Sequence, residues 1–117
     1  MTFDIQIGQL IVNKNASPGD QFEVDWDIET PDGDEPFRMM SNTGADSFFN
    51  LNKETEFLYS RITYHKICVI TPELVDFVNR INADNYEGYH YDRIIWFKYW
   101  IPLAFETFRG RARIATY

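Results

Sequence analysis

The chain has 117 residues, of which 44% are hydrophobic, 25% charged and 17% aromatic, the size and proportions of one ordinary globular domain. That composition excludes intrinsic disorder and collagen-like or low-complexity architecture, and the single cysteine, Cys68, excludes an internal disulfide or a cysteine-only zinc site. The formal net charge of −7 disfavours direct binding to nucleic acid, where affinity rests on Lys and Arg neutralising phosphates, and favours a basic partner.

The opening stretch, MTFDIQIGQLIV, lacks the basic n-region and cleavage pattern of a signal peptide, so a reducing, cytoplasmic setting is expected. Residues 3–12 read as a strand: Phe3, Ile5 and Ile7 alternate with Asp4 and Gln6, Gly8 interrupts, and Leu10, Ile11 and Val12 resume. Residues 13–20, NKNASPGD, have loop chemistry, tightest at Pro18 and Gly19. Residues 22–29 carry the cleanest pattern, with Phe22, Val24, Trp26 and Ile28 alternating against Glu23, Asp25, Asp27 and Glu29. Successive strand side chains point to opposite faces, so one face is apolar and the other carboxylate. The two segments predict an antiparallel hairpin over the core.

Residues 30–36, TPDGDEP, form a turn, and residues 37–40 suit a short strand. Residues 41–52 read as a loop holding Phe48 and Phe49 as buried rings. The run KETEFLY from Lys53 suits a helix capped by Asn52, whereas residues 61–70 are rich in β-branched side chains and predict a strand with Ile62, Tyr64 and Cys68 on one face. Thr71, Pro72 and Glu73 are a helix start, and Leu74, Phe77, Val78 and Ile81 follow at helical spacing. A second helix is expected from a cap at Asp92, with Ile94, Phe97, Ile101, Phe105 and Phe108 as its apolar stripe and Pro102 kinking or restarting it. It is too short and too charged for a membrane span. Past Gly110, Ala112 and Ile114 alternate with Arg111 and Arg113 and predict a final strand. The expected fold is α+β: one globular domain over residues 1–117, a small antiparallel sheet of N-terminal hairpin and later strands, packed against two C-terminal helices.

Several residue groups invite a functional reading. Glu23, Asp25, Asp27 and Glu29 project from one strand face at a repeat of about 7 Å, twice the strand rise. With Asp20, Asp32, Asp34 and Glu35 they make eight carboxylates between residues 20 and 35, without one Lys or Arg among them. The pairing strand, residues 3–12, has no basic residue either. A row of unneutralised acids suits the basic groove of a nuclease or another nucleic-acid-handling protein; its plain counterpart is a solvated strand face that discourages edge-to-edge pairing. Extended-strand carboxylates do not converge on one ion, and Gly33 is misplaced for an EF-hand loop, so no metal and no cofactor is expected. Tyr86, Tyr89 and Tyr91 cluster around Gly88 in an expected loop, where tyrosines serve protein contacts. Arg109, Arg111 and Arg113 are expected to pair with acids of the first half rather than with phosphates. A dyad of His65 or His90 with Cys68 is conceivable, but the thiol lies among Ile67, Val69 and Ile70 and reads as a buried, inert cysteine, and no oxyanion-hole motif is recognisable.

The expected function is a non-enzymatic inhibitor. Glu23, Asp25, Asp27 and Glu29, with Asp32, Asp34, Tyr86 and Tyr89, would block a basic partner protein, as an immunity protein or a phage-encoded antagonist of host defence does. The alternatives are a ligand-binding or enzymatic domain with an aromatic pocket around Trp96, Trp100 and His90, and a subunit of a larger assembly whose surplus aromatics a partner covers.

Overall fold

A computed structural model of the chain describes residues 4–12, 15, 22–25, 40–41, 48–63 and 67–116. The readings made above for Phe3, Trp26, Asp27, Ile28, Glu29, the 30–36 turn, residues 37–39, Tyr64 and His65 lie outside the described residues. In chain order the elements are β1 (Asp4–Val12), β2 (Phe22–Asp25), β3 (Met40–Ser41), α1 (Lys53–Thr63), β4 (Ile67–Val69), α2 (Pro72–Arg80), a 3₁₀ turn (Ala83–Asn85), α3 (Gly88–Phe108), a second 3₁₀ turn (Arg109–Arg111) and β5 (Ala112–Thr116).

The sheet runs β2-β1-β5-β4 and every ladder is antiparallel. The expected hairpin is present, pairing Gln9 with Asp25 and Val12 with Phe22. β3 joins β1 at Asp4 and Ile5, on the edge that β2 also uses, because β5 occupies the other edge from Ile5 to Gln9. The architecture is α+β, as the order of elements implies.

Helical packing decides the core. α3 lies across β1 and β5, α1 against β4 and β5, and α2 on α3. Ile5 and Ile7 of β1 and Ile114 of β5 are fully buried beside Leu58 and Ile62 of α1 and Ile94, Phe97 and Ile101 of α3. Burying each such side chain stabilises by roughly 1.5–3 kcal/mol. Phe48 and Phe49 are buried as expected, stacked edge to face at 4.8 Å in a helical turn ahead of α1.

Three boundaries differ from the sequence expectation. Residues 61–63 belong to α1, not to a strand, because Leu58 and Ile62 sit one turn apart on a helix and both are fully buried; packing overrides the β-branched propensity of Ile62 and Thr63. α3 begins at Gly88 rather than after Asp92, so Tyr89, His90 and Tyr91 are helical and not in a loop. Gly88 allows that abrupt entry with φ +56°, and the carbonyl of Glu87 accepts from the amides of His90 and Tyr91 at 3.1 and 3.4 Å. Third, Pro102 does not restart α3, which runs unbroken to Phe108. An interior proline costs about 3 kcal/mol, and burial of Ile94, Phe97 and Ile101 outweighs that. Thr71 caps α2 as expected, its hydroxyl accepting from the Leu74 amide at 3.1 Å.

Candidate functional site

β2 carries two of the four strand acids. In the ladder Glu23 pairs with Ile11 and Asp25 with Gln9, while Val24 pairs with Leu10. Neither acidic position has a basic residue opposite it. β1 runs unbroken through Gly8, which pairs with Arg113, and Gln9 pairs with Ala112 on one side and Asp25 on the other. Asp27, Glu29, Asp32 and Asp34 lie outside the described residues.

Among the described cations, Arg113 pairs with Gly8 across the β1–β5 ladder. The guanidinium groups of Arg111 and Arg113 donate to backbone. Arg111 Nη2 donates to the Leu10 carbonyl at 3.1 Å, and Arg113 Nη1 to the carbonyls of Gly110 and Ala112 at 2.7 and 2.9 Å. The expected pairing of these arginines with first-half acids has no counterpart among the described residues.

The three tyrosines separate. Tyr89 is 80% exposed and Tyr91 39%. Tyr86 is buried, a correction to its placement on a contact surface. Its hydroxyl donates to Glu54 Oε1 at 2.5 Å and accepts from Asn52 Nδ2 at 3.3 Å. Burial first, and then the Glu54 carboxylate that the hydroxyl serves, push its pKa up to about 12. Asn52 meanwhile caps α1, its Oδ1 accepting from the Thr55 amide at 2.9 Å while the Thr55 hydroxyl accepts from the Asn52 amide at 3.1 Å. Tyr86 thus fixes the start of α1 to the turn that precedes α3.

The aromatic region around α3 is divided between core and surface. Trp96 and Trp100 are half-buried against the core. The His90 ring stacks on Phe48 at 5.9 Å, and its buried Nδ1 has no hydrogen-bond partner among the described residues. On the outer side Tyr91, Ile95 and Tyr99, four residues apart, are 39%, 41% and 41% exposed and form an apolar stripe. The Cys68 thiol donates to the Arg61 carbonyl at 3.1 Å. Burial pushes its pKa up, with Arg61 and Arg113 acting in the opposite direction. A thiol held protonated in this way is not an activated nucleophile.

Two features escape the sequence pattern. Lys98, in the middle of the most apolar helix, places its ammonium at the C-terminus of α2, donating to the carbonyls of Val78, Asn79 and Ile81 at 3.0, 3.0 and 2.5 Å. The other is an open groove of about 300 Å³ between α1 and α2, with Leu74, Phe57 and Phe77 as its apolar part and Arg61, Glu73, Asp76 and Arg80 as its charges. One sequence signal marks it: Phe57 is a step out of phase with Leu58 and Ile62, and so is an aromatic on the outer side of an amphipathic helix. Among the described residues no cluster of three or more His, Cys, Asp or Glu suits a metal ion, and no helix is long and apolar enough to cross a membrane. Comparison of the chain with models of known families, with curated proteins and with solved structures finds no match.

Proposed function

We propose that the chain is a small acidic, non-enzymatic binding protein that blocks a basic, nucleic-acid-handling protein partner through Glu23, Asp25, Asp27 and Glu29, extended by Asp32 and Asp34. The observation that supports the reading is the ladder register of the two described acidic positions. Ile11 and Gln9 stand opposite Glu23 and Asp25, and the neighbouring Arg111 and Arg113 donate to backbone carbonyls. Adjacent carboxylates without a counter-ion repel one another, and a basic surface relieves that repulsion on binding. The mechanism is steric and electrostatic occlusion, with fast association that slows as salt rises. Immunity proteins against toxic nucleases and phage-encoded antagonists of host defence both have this profile.

The experiment is a pull-down from host lysate at low and then at moderate salt with the wild type and with a Glu23→Gln, Asp25→Asn, Asp27→Asn, Glu29→Gln variant. A basic partner captured by the wild type in a salt-sensitive manner and lost by the variant supports the reading. Identical partners for both proteins end it. A second reading, a subunit of a larger assembly, draws support from the exposed Tyr91, Ile95 and Tyr99 stripe, an area that a partner subunit would cover. Under that reading the partner survives the four acid substitutions and is lost on Ile95→Asp.

A further inference from the structure

We propose that the groove between α1 and α2 is a binding site for a small zwitterion with an apolar body, a free apolar α-amino acid. This inference is independent of the acidic strand. The volume, about 300 Å³, is that of a small-molecule site. Its apolar part is the Phe57 and Phe77 rings, 4.6 Å apart between centroids and tilted by 49°, with buried Leu74 beside them.

The charges select the ligand class. Two guanidinium groups, Arg61 and Arg80, and two carboxylates, Glu73 and Asp76, line the same groove, and among the described residues none of the four side chains is in an ion pair. A ligand carrying only an anion is attracted by the arginines and repelled by the acids; a ligand carrying only a cation meets the reverse. A neutral ligand bearing both signs is complementary to all four. Its carboxylate takes Arg61 and Arg80, its ammonium takes Glu73 and Asp76, and its side chain lies on the phenylalanines. Both charges must sit on one small molecule, which separates a free amino acid from an internal peptide segment.

The test is isothermal titration of the full chain with four probes: L-phenylalanine, 3-phenylpropionate (no ammonium), phenethylamine (no carboxylate) and L-serine (no apolar body). L-phenylalanine is expected to bind at least about tenfold more tightly than each of the other three, the value of one charge-assisted contact or one buried ring. Asp76→Asn and Arg80→Gln are each expected to weaken L-phenylalanine about tenfold while leaving the circular dichroism spectrum and unfolding midpoint unchanged, since both residues are exposed. Phe57→Ala, also at an exposed position, provides a second, uncharged variant with the same expected loss. No heat from L-phenylalanine up to about 10 mM, a range that covers millimolar affinity, overturns the proposal. So does equal binding by either singly charged probe, or unaltered binding by all three variants.

Discussion

The helical layer and the rim of the molecule treat their polar groups in opposite ways. In the helical layer three polar side chains are bonded internally, although the buried His90 Nδ1 is not among them. Lys98 holds three carbonyls at the end of α2, Tyr86 joins Glu54 and Asn52, and Thr71 caps α2. At the rim, the α1/α2 groove carries four charged side chains without ion pairs among the described residues. A polar group bonded in a half-buried setting leaves its partner unsatisfied when removed, whereas a charge facing water leaves little behind. The contrast therefore separates residues that hold the fold from residues free to meet something else.

The largest effect is expected at Lys98. Lys98→Met keeps the length of the stem but abandons three carbonyls at a helix terminus, and should cost about 3 kcal/mol in urea unfolding, the upper range for hydrogen bonds to a charged group. Lys53→Met, at an exposed position, should stay within about 0.5 kcal/mol. Equal effects at the two lysines would erase the contrast.

Tyr86→Phe comes next, at about 1–2 kcal/mol for the loss of a hydrogen-bonded hydroxyl. It also has a pH signature. The Tyr86 pKa is raised from 10.0 to about 12 in the folded chain, so the native state holds this proton more tightly than the unfolded state. The stability linked to it is fully present below pH 10 and is lost as pH rises toward 12. Between those values wild type should lose stability faster than Tyr86→Phe, a difference that unfolding midpoints at pH 9, 10.5 and 11.5 would register.

How much of this was legible beforehand follows the same division. The Thr71 cap, the α2 stripe, the hairpin and the final strand depend on local spacing and turn chemistry, and the sequence carries them openly. The extension of α1 through Ile62 and Thr63 was hidden because burial against the sheet outweighs local β propensity. The role of Lys98 was hidden for another reason: its partners are 17 to 20 residues away, so nothing in its own helix announces them. Tyr86 looked like its neighbours Tyr89 and Tyr91, yet its oxygen is bonded 32 residues upstream. Of the candidate acidic row, Glu23 and Asp25 have a described ladder position, and their alternation was plain from the pattern. Their pairing with Ile11 and Gln9 was not, because alternation within one strand does not by itself fix its register against a partner.

The two ends of α3 sharpen the comparison at smaller magnitude. Gly88 enters the helix at φ +56°, and a Cβ placed there meets nothing within 4 Å. Gly88→Ala should therefore cost about 1 kcal/mol through backbone strain alone. At the other end Arg109 has φ 51° and ψ −124°, in a region that favours glycine. Arg109→Gly should stabilise by slightly less than 1 kcal/mol, because relief of strain is partly offset by the freer unfolded chain. Thermal unfolding of the two variants should move the midpoint in opposite directions.

The smallest stability effect is expected where the binding effect is large. A Glu73→Gln, Asp76→Asn double variant leaves no described bonding partner behind, since both side chains are exposed at the groove. Its stability should lie within about 0.5 kcal/mol of wild type. Removing both acids leaves Arg61 and Arg80 to define the groove, which then prefers an anion to a zwitterion. The double variant should thus invert the ligand order, taking 3-phenylpropionate ahead of L-phenylalanine. A large loss of stability instead would mean that these acids hold the fold as Lys98 and Tyr86 do, and the division between bonded interior and free rim would fail at the groove.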